Sequence, residues 1–514
     1  MRALRSTSAL IFAVLLVLTL CSPAGASDPK VAAAVKNIQA VAARGPYRAA
    51  WDSLEKFQVP AWYRDAKFGI FIHWGVYSVP AFGNEWYPRN MYLKDSDTFK
   101  YHLNTYGPQS KFGYKDFIPM FKAEQFSADR WAELFRKAGA RYVVPVAEHH
   151  DGFPMYASDL TEWCAGKMGP KRDIVGELAA AVRKQGLHFG ASSHRAEHWW
   201  FYNGGATFDS DVNDPRYAGF YAPAQSDKVQ PNREYLDNWL ARIGEIVDKY
   251  HPELVWFDWW IEQPAFAPYL QTFSAFYYNR GAQWKRSVAI NYKNKAFPER
   301  AAVLDIERGQ LDTLRPIFWQ TDTSVGERSW GYIKDEKFRA PESLVDELVD
   351  IVSKNGCLLL NIGPKPDGTI PDEVQAILLD MGKWLGVNGE AIYATRPWKI
   401  YGEGPTQVVG GSFKDTATQG YTAADIRFTT KGETLYAIAL ARPADGKLTI
   451  KSLAAGSNLT KREIRTVQLL GSRAKLQWTR TAEGLSVELP NQKPDGYPVA
   501  LRIAPVDRAT ERAE

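Results

Sequence analysis

From residue 68 to residue 364, short apolar runs recur with helical patterns between several of them. The strand-like runs are Phe68 to Trp74, Tyr142 to His150, His188 to His194, Leu254 to Trp259, Val288 to Lys293, Ala302 to Arg308, Phe318 to Ser324 and Cys357 to Gly363. Helical periodicity marks Ser127 to Ala138, Asp173 to Gln185, Arg233 to Tyr250 and Pro341 to Lys354, each shortly before the next strand. Alternation of strand and helix implies a parallel sheet, and eight repeats imply a closed (β/α)8-like TIM barrel. The sixth and seventh units show no convincing long helix, so the barrel is expected to be irregular there.

Beyond about residue 400 the pattern changes to short alternating strands separated by turn residues, at Ile426 to Thr430, Thr434 to Arg442, Lys447 to Lys451, Ile464 to Leu470 and Val499 to Ile503. Lys431-Gly-Glu and Thr481-Ala-Glu-Gly read as hairpin turns, and the segment as a β-sandwich packed beside the barrel. The expected division is a leader over 1–26, an arm over 27–56 with an Ala-rich helix, an α/β barrel over 57–400 and a sandwich with a short tail over 401–514.

Arg2 and Arg5 precede an apolar stretch from Leu10 to Leu20, and Ala24-Gly25-Ala26 offers small residues for cleavage, the pattern of an export signal. Cys21 raises a lipid anchor as the alternative, but Leu20 before it is large for that signal. No other apolar stretch is long enough to cross a bilayer, so no membrane association is expected after processing. The net charge of +5 over 514 residues, without a Lys/Arg run, argues against a nucleic-acid partner. Cys164 and Cys357 lie in unrelated motifs without metal-ligand spacing and read as separate buried thiols. Eighteen tryptophans exceed what an ordinary core needs and point to a sugar-binding cleft.

In such a barrel the loops after the strands converge on one face, so polar residues at strand ends share a site. His73 closes the first run, His149 and His150 the second, His194 the third, Asp258 the fourth, Lys293 the fifth and Glu307 the sixth. Imidazoles gathered there suit the hydroxyls of one small sugar, each needing a fixed donor or acceptor. Asp258 ends a run buried on both faces and is framed by Trp256, Trp259 and Trp260, which suggests carbohydrate chemistry. A structural Asp capping the following helix is the rival reading. Glu85 and Trp86 form another acid-aromatic pair, for which a surface ion pair with Arg89 is equally open. A metal is not expected: neighbouring residues on a strand face opposite ways, so His149 and His150 should not share one ion, and no zinc signature is present.

Several motifs in fixed order carry a resemblance: Phe68-Gly-Ile-Phe-Ile-His-Trp-Gly75, Asn84-Glu-Trp86, Glu148-His-His-Asp-Gly-Phe153, Val255-Trp-Phe-Asp258, Ser329-Trp-Gly-Tyr332 and Leu358-Leu-Leu-Asn-Ile-Gly-Pro364. From about residue 57 to Trp398 the chain resembles the α-L-fucosidases of glycoside hydrolase family 29. The resemblance implies a barrel followed by a sandwich, retaining cleavage of α-L-fucosides, and no cofactor. It assigns Asp258 as nucleophile and His73, Glu85, Trp86, His149, His150 and Trp256 to the fucose pocket. This chain departs from the family at Ala191-Ser-Ser-His-Arg195, where Ser193 or His194 stands for a common Tyr, and at Lys293, where many members have Arg. Glu307 is the preferred acid/base, with Glu299 and Glu327 as alternatives.

Retention needs two carboxyl groups about 5 to 5.5 Å apart with separated pKa values. Asp258 is therefore expected ionised and Glu307 protonated. Trp259, Trp260 and Phe71 are candidates for the wall against the sugar's methyl group. The expected partner is a fucosylated oligosaccharide or glycoconjugate. The rivals are a glycosidase for a related sugar, such as a β-galactoside or arabinoside, and a secreted fucose-binding protein without catalysis.

Overall fold

Eight parallel strands, each ending on the same rim, close into a barrel in sequence order. They are β1 (Phe68–Ile72), β2 (Tyr142–Glu148), β3 (His188–Ser193), β4 (Leu254–Phe257), β5 (Ala289–Tyr292), β6 (Val303–Glu307), β7 (Trp319–Ser324) and β8 (Gly356–Ile362). The computed structural model describes residues 28–418, 420–491 and 496–508, so the expected leader lies outside the described residues. β8 pairs with β1 from Phe68 against Leu358 to Ile72 against Ile362, which completes the ring. β1, β2, β4 and β8 are buried at every position, as strands with the barrel interior on one side and helices on the other must be. Gly69 is required by close approach: a Cβ there would meet the Tyr142 ring at 2.4 Å.

Helices cover the barrel where the sequence provides caps. Ser127, Asp173 and Asn232 accept backbone N–H bonds at the starts of Ala128–Lys137, Ile174–Lys184 and Arg233–Tyr250. The helix Arg233–Tyr250 ends where His251 turns left-handed, at φ 47°. Pro341–Ser353 follows β7. Helices Ala267–Trp284 and Asp372–Asn388 were not anticipated. Among the described residues no helix lies between β5 and β6 or between β6 and β7, which is the irregularity read in the sixth and seventh units. In the arm, Pro29–Ala42 buries Val31, Val35 and Ile38, with Ile38 filling the space left by Gly244.

The C-terminal domain forms two antiparallel sheets around a second core. One holds β9 (Arg396–Glu403), β10 (Ile426–Lys431), β11 (Thr434–Ala439), β13 (Thr466–Leu469) and β16 (Val499–Ala504). The other holds β12 (Lys447–Ile450), β14 (Gln477–Thr481) and β15 (Gly484–Glu488). Trp398, Phe428 and Leu501 from the first meet Leu448, Leu485 and Val487 from the second, a sandwich. Each fully buried Leu, Val or Phe here contributes about 1.5–3 kcal/mol. β9, β14 and β15 were not read from the sequence, and the expected division at residue 400 falls inside β9. Arg427 on β10 is buried against the barrel and donates to Asp350 of Pro341–Ser353 at 2.6 Å. Cys164 and Cys357 are buried and free.

Candidate active site

The rim residues follow directly from where the strands stop. His73, His149, His194, Asp258 and Lys293 each come immediately after a strand, and Glu307 is the last residue of β6. They line one cavity, together with His150, Glu85, Trp86 and Trp256. All ten sequence-derived site residues are thus brought together. Glu299 and Glu327 are exposed and outside the cavity lining, with Glu299 paired to Arg315.

Asp258 is buried and surrounded by donors. Its Oδ2 accepts from His194 Nδ1 at 2.9 Å, and its Oδ1 accepts from the Trp259 N–H at 2.8 Å. Lys293 Nζ lies 3.2 Å from Oδ1 and His150 Nε2 lies 3.5 Å from Oδ2. Burial alone would raise the carboxyl, but Lys293, His194 and His150 outweigh it and hold Asp258 well below the usual carboxylate range. A helix-capping role is not what its oxygens serve.

Glu307 takes the opposite shift. Burial pushes its carboxyl up, Lys293 opposes and Asp258 adds to the rise, with the net above the ordinary value. Lys293 Nζ donates to Glu307 Oε2 at 2.7 Å, so one ammonium spans both carboxyl groups. That ammonium also lies 3.5 Å from Asp322 of β7 and 4.7 Å from the centre of the Trp256 ring. Trp256 turns its Nε1 away from the cavity, to Asp305 at 3.1 Å, and presents its face.

The histidines divide by their partners. His73 Nδ1 meets Asn361 Oδ1 at 2.8 Å, and burial drives its pKa well below the ordinary range, leaving a neutral ring. His149 is likewise neutral through burial, and its buried Nδ1 has no hydrogen-bond partner among the described residues. His194 uses both nitrogens, on Asp258 and on Ser192 Oγ at 3.0 Å, and burial lowers it to about 4. His194, rather than Ser193, is the residue that reaches the nucleophile candidate. His150 is raised to about 9: burial opposes its charge, but Glu197 at 3.2 Å and Asp258 prevail.

Three expectations are corrected. His149 and His150 do not face opposite ways; β2 ends at Glu148, strand alternation ends with it, and the two rings line the same cavity with centroids 4.2 Å apart. Glu85 is not paired with Arg89: it is buried and accepts from the Trp330 N–H at 2.9 Å and Ser329 Oγ at 3.2 Å, while Arg89 donates to the carbonyls of Trp200 and Phe201. Of the three candidate wall residues only Trp259 lines the cavity. Trp260, at φ 70°, turns back onto Trp200 and Phe266, and Phe71 supports His73 and Trp256 from beneath.

Sequence reasoning missed Trp330 and Asp322, which also line the cavity. Trp330 sits in a motif quoted above without a role. Asp322 signals itself only as an acid inside a strand buried at every position. Burial, then the nearby Asp305, raise it well above the ordinary carboxyl value, against Lys293. Glu148, under the site, is fixed by Arg195 at 2.6 Å and Arg242 at 3.0 Å and anchors the ends of β2 and β3. Ligand-type atoms of His73, His149 and His194, and of His150, His194 and Asp258, lie within 4.8 Å of one another. Both sets draw on His194, whose nitrogens are already engaged, so the donor set suits hydroxyl groups better than an ion.

A barrel rim with two carboxyl groups shifted in opposite directions in one aromatic-walled cavity is the arrangement of a glycoside hydrolase. The comparisons with known proteins agree. The alpha-L-fucosidase family model matches residues 34–390, and the model of the alpha-L-fucosidase C-terminal domain matches 418–504. The chain belongs to the alpha-L-fucosidase family. It is 33% identical to the tissue alpha-L-fucosidase of Rattus norvegicus over 462 residues, covering 88% of this chain and 90% of that protein. It is 34% identical to an alpha-L-fucosidase of Branchiostoma floridae over 471 residues, covering 89% and 95%. A crystal structure of Thermotoga maritima alpha-fucosidase in complex with fucose is similar with a TM-score of 0.69 at 32% identity, covering 89% of this chain and 100% of that one.

Proposed function

We propose that the protein is a retaining, exo-acting α-L-fucosidase that releases terminal α-L-fucose from fucosylated oligosaccharides or glycoconjugates through a covalent glycosyl-enzyme. The observation that carries this reading is the Lys293 ammonium shared by Asp258 and Glu307. Its two contacts laid end to end limit the nearest carboxyl oxygens to at most about 6 Å apart, which admits the ~5–5.5 Å of double displacement and lies below the ~6.5–9.5 Å of inversion.

Asp258, kept ionised by its donors, attacks the anomeric carbon as the glycosidic C–O bond breaks. Glu307 gives its proton to the departing oxygen. A water molecule then loses a proton to Glu307 and attacks the same carbon, freeing Asp258 and restoring the original configuration. His73, His149, His150 and Glu85 meet the sugar hydroxyls, His194 orients Asp258, and Trp86, Trp256 and Trp259 supply apolar faces. Exo action follows from the sugar hydroxyls being met from all sides by residues of one rim cavity. The substrate class follows the fucose of the Thermotoga maritima complex. The reading includes export after removal of residues 1–26 and a mature chain divided at about 57 and 400. Among the described residues no helix is long and apolar enough to cross a membrane.

Proton NMR during hydrolysis of an aryl α-L-fucoside tests it. α-L-Fucose should appear first and then mutarotate. If β-L-fucose forms first, double displacement is wrong; if wild type and Asp258→Ala both bind fucose without turnover, the protein is a binder.

A further inference from the structure

Between β9 and β10 the chain leaves the sandwich and returns to the barrel. Gly411 and Gln310 exchange backbone bonds of 2.8 and 3.3 Å. The Phe413 N–H donates to the Glu307 carbonyl at 2.9 Å, and the N–H groups of Lys414 and Asp415 donate to the Arg308 carbonyl at 2.8 and 2.9 Å. The Asp415 carboxylate accepts from Arg308 Nε at 2.9 Å and from the Thr323 hydroxyl at 2.7 Å. This stretch is therefore fastened to the end of β6 beside the acid candidate.

Within so firmly held a stretch, Phe413 is anomalous twice over. Its φ of 56° is a left-handed conformation that disfavours any residue with a Cβ, and its side chain is 65% exposed. The backbone position places the residue on the rim at Glu307. On the exo reading the cavity takes the fucose alone, so the group to which fucose is attached sits outside it. That group leaves on the side of Glu307, because Glu307 must reach the oxygen joining the two. Phe413 is bonded to the Glu307 backbone on that rim.

We propose that Phe413, carried by the C-terminal domain, forms a leaving-group subsite whose ring stacks on the apolar face of the hexose that bears the fucose. The subsite rests on the reading of Glu307 as the acid of an exo-fucosidase. The full chain is assayed with α-L-fucosyl fluoride, whose leaving group has no ring, and with a fucosyl-hexose disaccharide. The ratio of kcat/KM for the disaccharide to that for the fluoride should fall about tenfold in Phe413→Ala, chiefly through KM, and recover in Phe413→Trp. An unaltered ratio overturns the subsite, including the case in which both substrates lose equally and the residue merely supports Glu307. A wild-type chain that cleaves neither substrate fails at the underlying fucosidase reading instead, and the subsite falls with it.

Discussion

Lys293 donates to Glu307 at 2.7 Å while standing 3.2 Å from Asp258, so the cation that keeps one carboxyl ionised also restrains the rise of the other. Replacing it by Met removes a downward influence from both groups. Activity requires Asp258 without its proton and Glu307 with it; it falls as pH drops through the first pKa and as pH rises through the second. Both limbs of the kcat/KM profile should therefore move to higher pH in Lys293→Met, with kcat down about 10²-fold or more. A profile that stays in place, or moves down, contradicts this coupling.

The two carboxyl groups should respond differently to truncation. Asp258→Ala should lose several orders of magnitude of turnover on every fucoside. Glu307→Ala should retain turnover of substrates with good leaving groups and be accelerated by azide, which replaces the deprotonated water in the second step. If Glu299→Ala or Glu327→Ala is rescued and Glu307→Ala is not, the assignment moves.

Asp322 predicts a stability effect of definite sign. Its folded pKa is raised above the ordinary 3.8, so the unfolded chain releases the proton first and stability is lost as pH climbs past that value. Asn is neutral at every pH and avoids this loss. Thermal melts should give Asp322→Asn a higher Tm than wild type at pH 7, and the gap should close towards pH 3. A lower Tm at pH 7 would mean that an ionised Asp322 is needed by Lys293.

Buried histidines, among them four at or near the rim, weaken the fold in acid. His73 and His149 lie well below the ordinary 6.5, His194 at about 4 and His198 at about 3, all chiefly through burial. A histidine kept neutral contributes stability above its unfolded pKa and loses it as pH falls through the folded one. His150, at about 9, acts in reverse and favours the fold below its unfolded value, losing that contribution as pH rises through 9. Tm should decline steadily from pH 6.5 downward, and Asp258→Asn should not abolish that decline, since His73, His149 and His198 remain.

The barrel was legible because β1 to β8 are short apolar runs at regular intervals, and the rim was legible because polar residues follow those runs. Helix Arg233–Tyr250 could be read to the residue, since an Asn cap and an apolar stripe define it. Helix Ala267–Trp284 was not, because Phe273, Phe276, Tyr277 and Tyr278 bury it broadly and erase the stripe. Local rules also failed past strand ends: the left-handed turn at Trp260 and the convergence of His149 with His150 depend on loop backbone that no period encodes. Asp322 and Phe413 were hidden for a further reason, since their meaning comes from chain segments distant in sequence.

The fastening of Asp415 to Arg308 and Thr323 has a consequence for modular engineering. The two domains are not interchangeable cassettes, because the loop that borders the catalytic mouth is spliced from the distal domain into a stretch of wall where the barrel brings no helix of its own. A chimera built by joining this barrel to a foreign sandwich would inherit a different doorway, and its choice of glycan would travel with the donor of the sandwich.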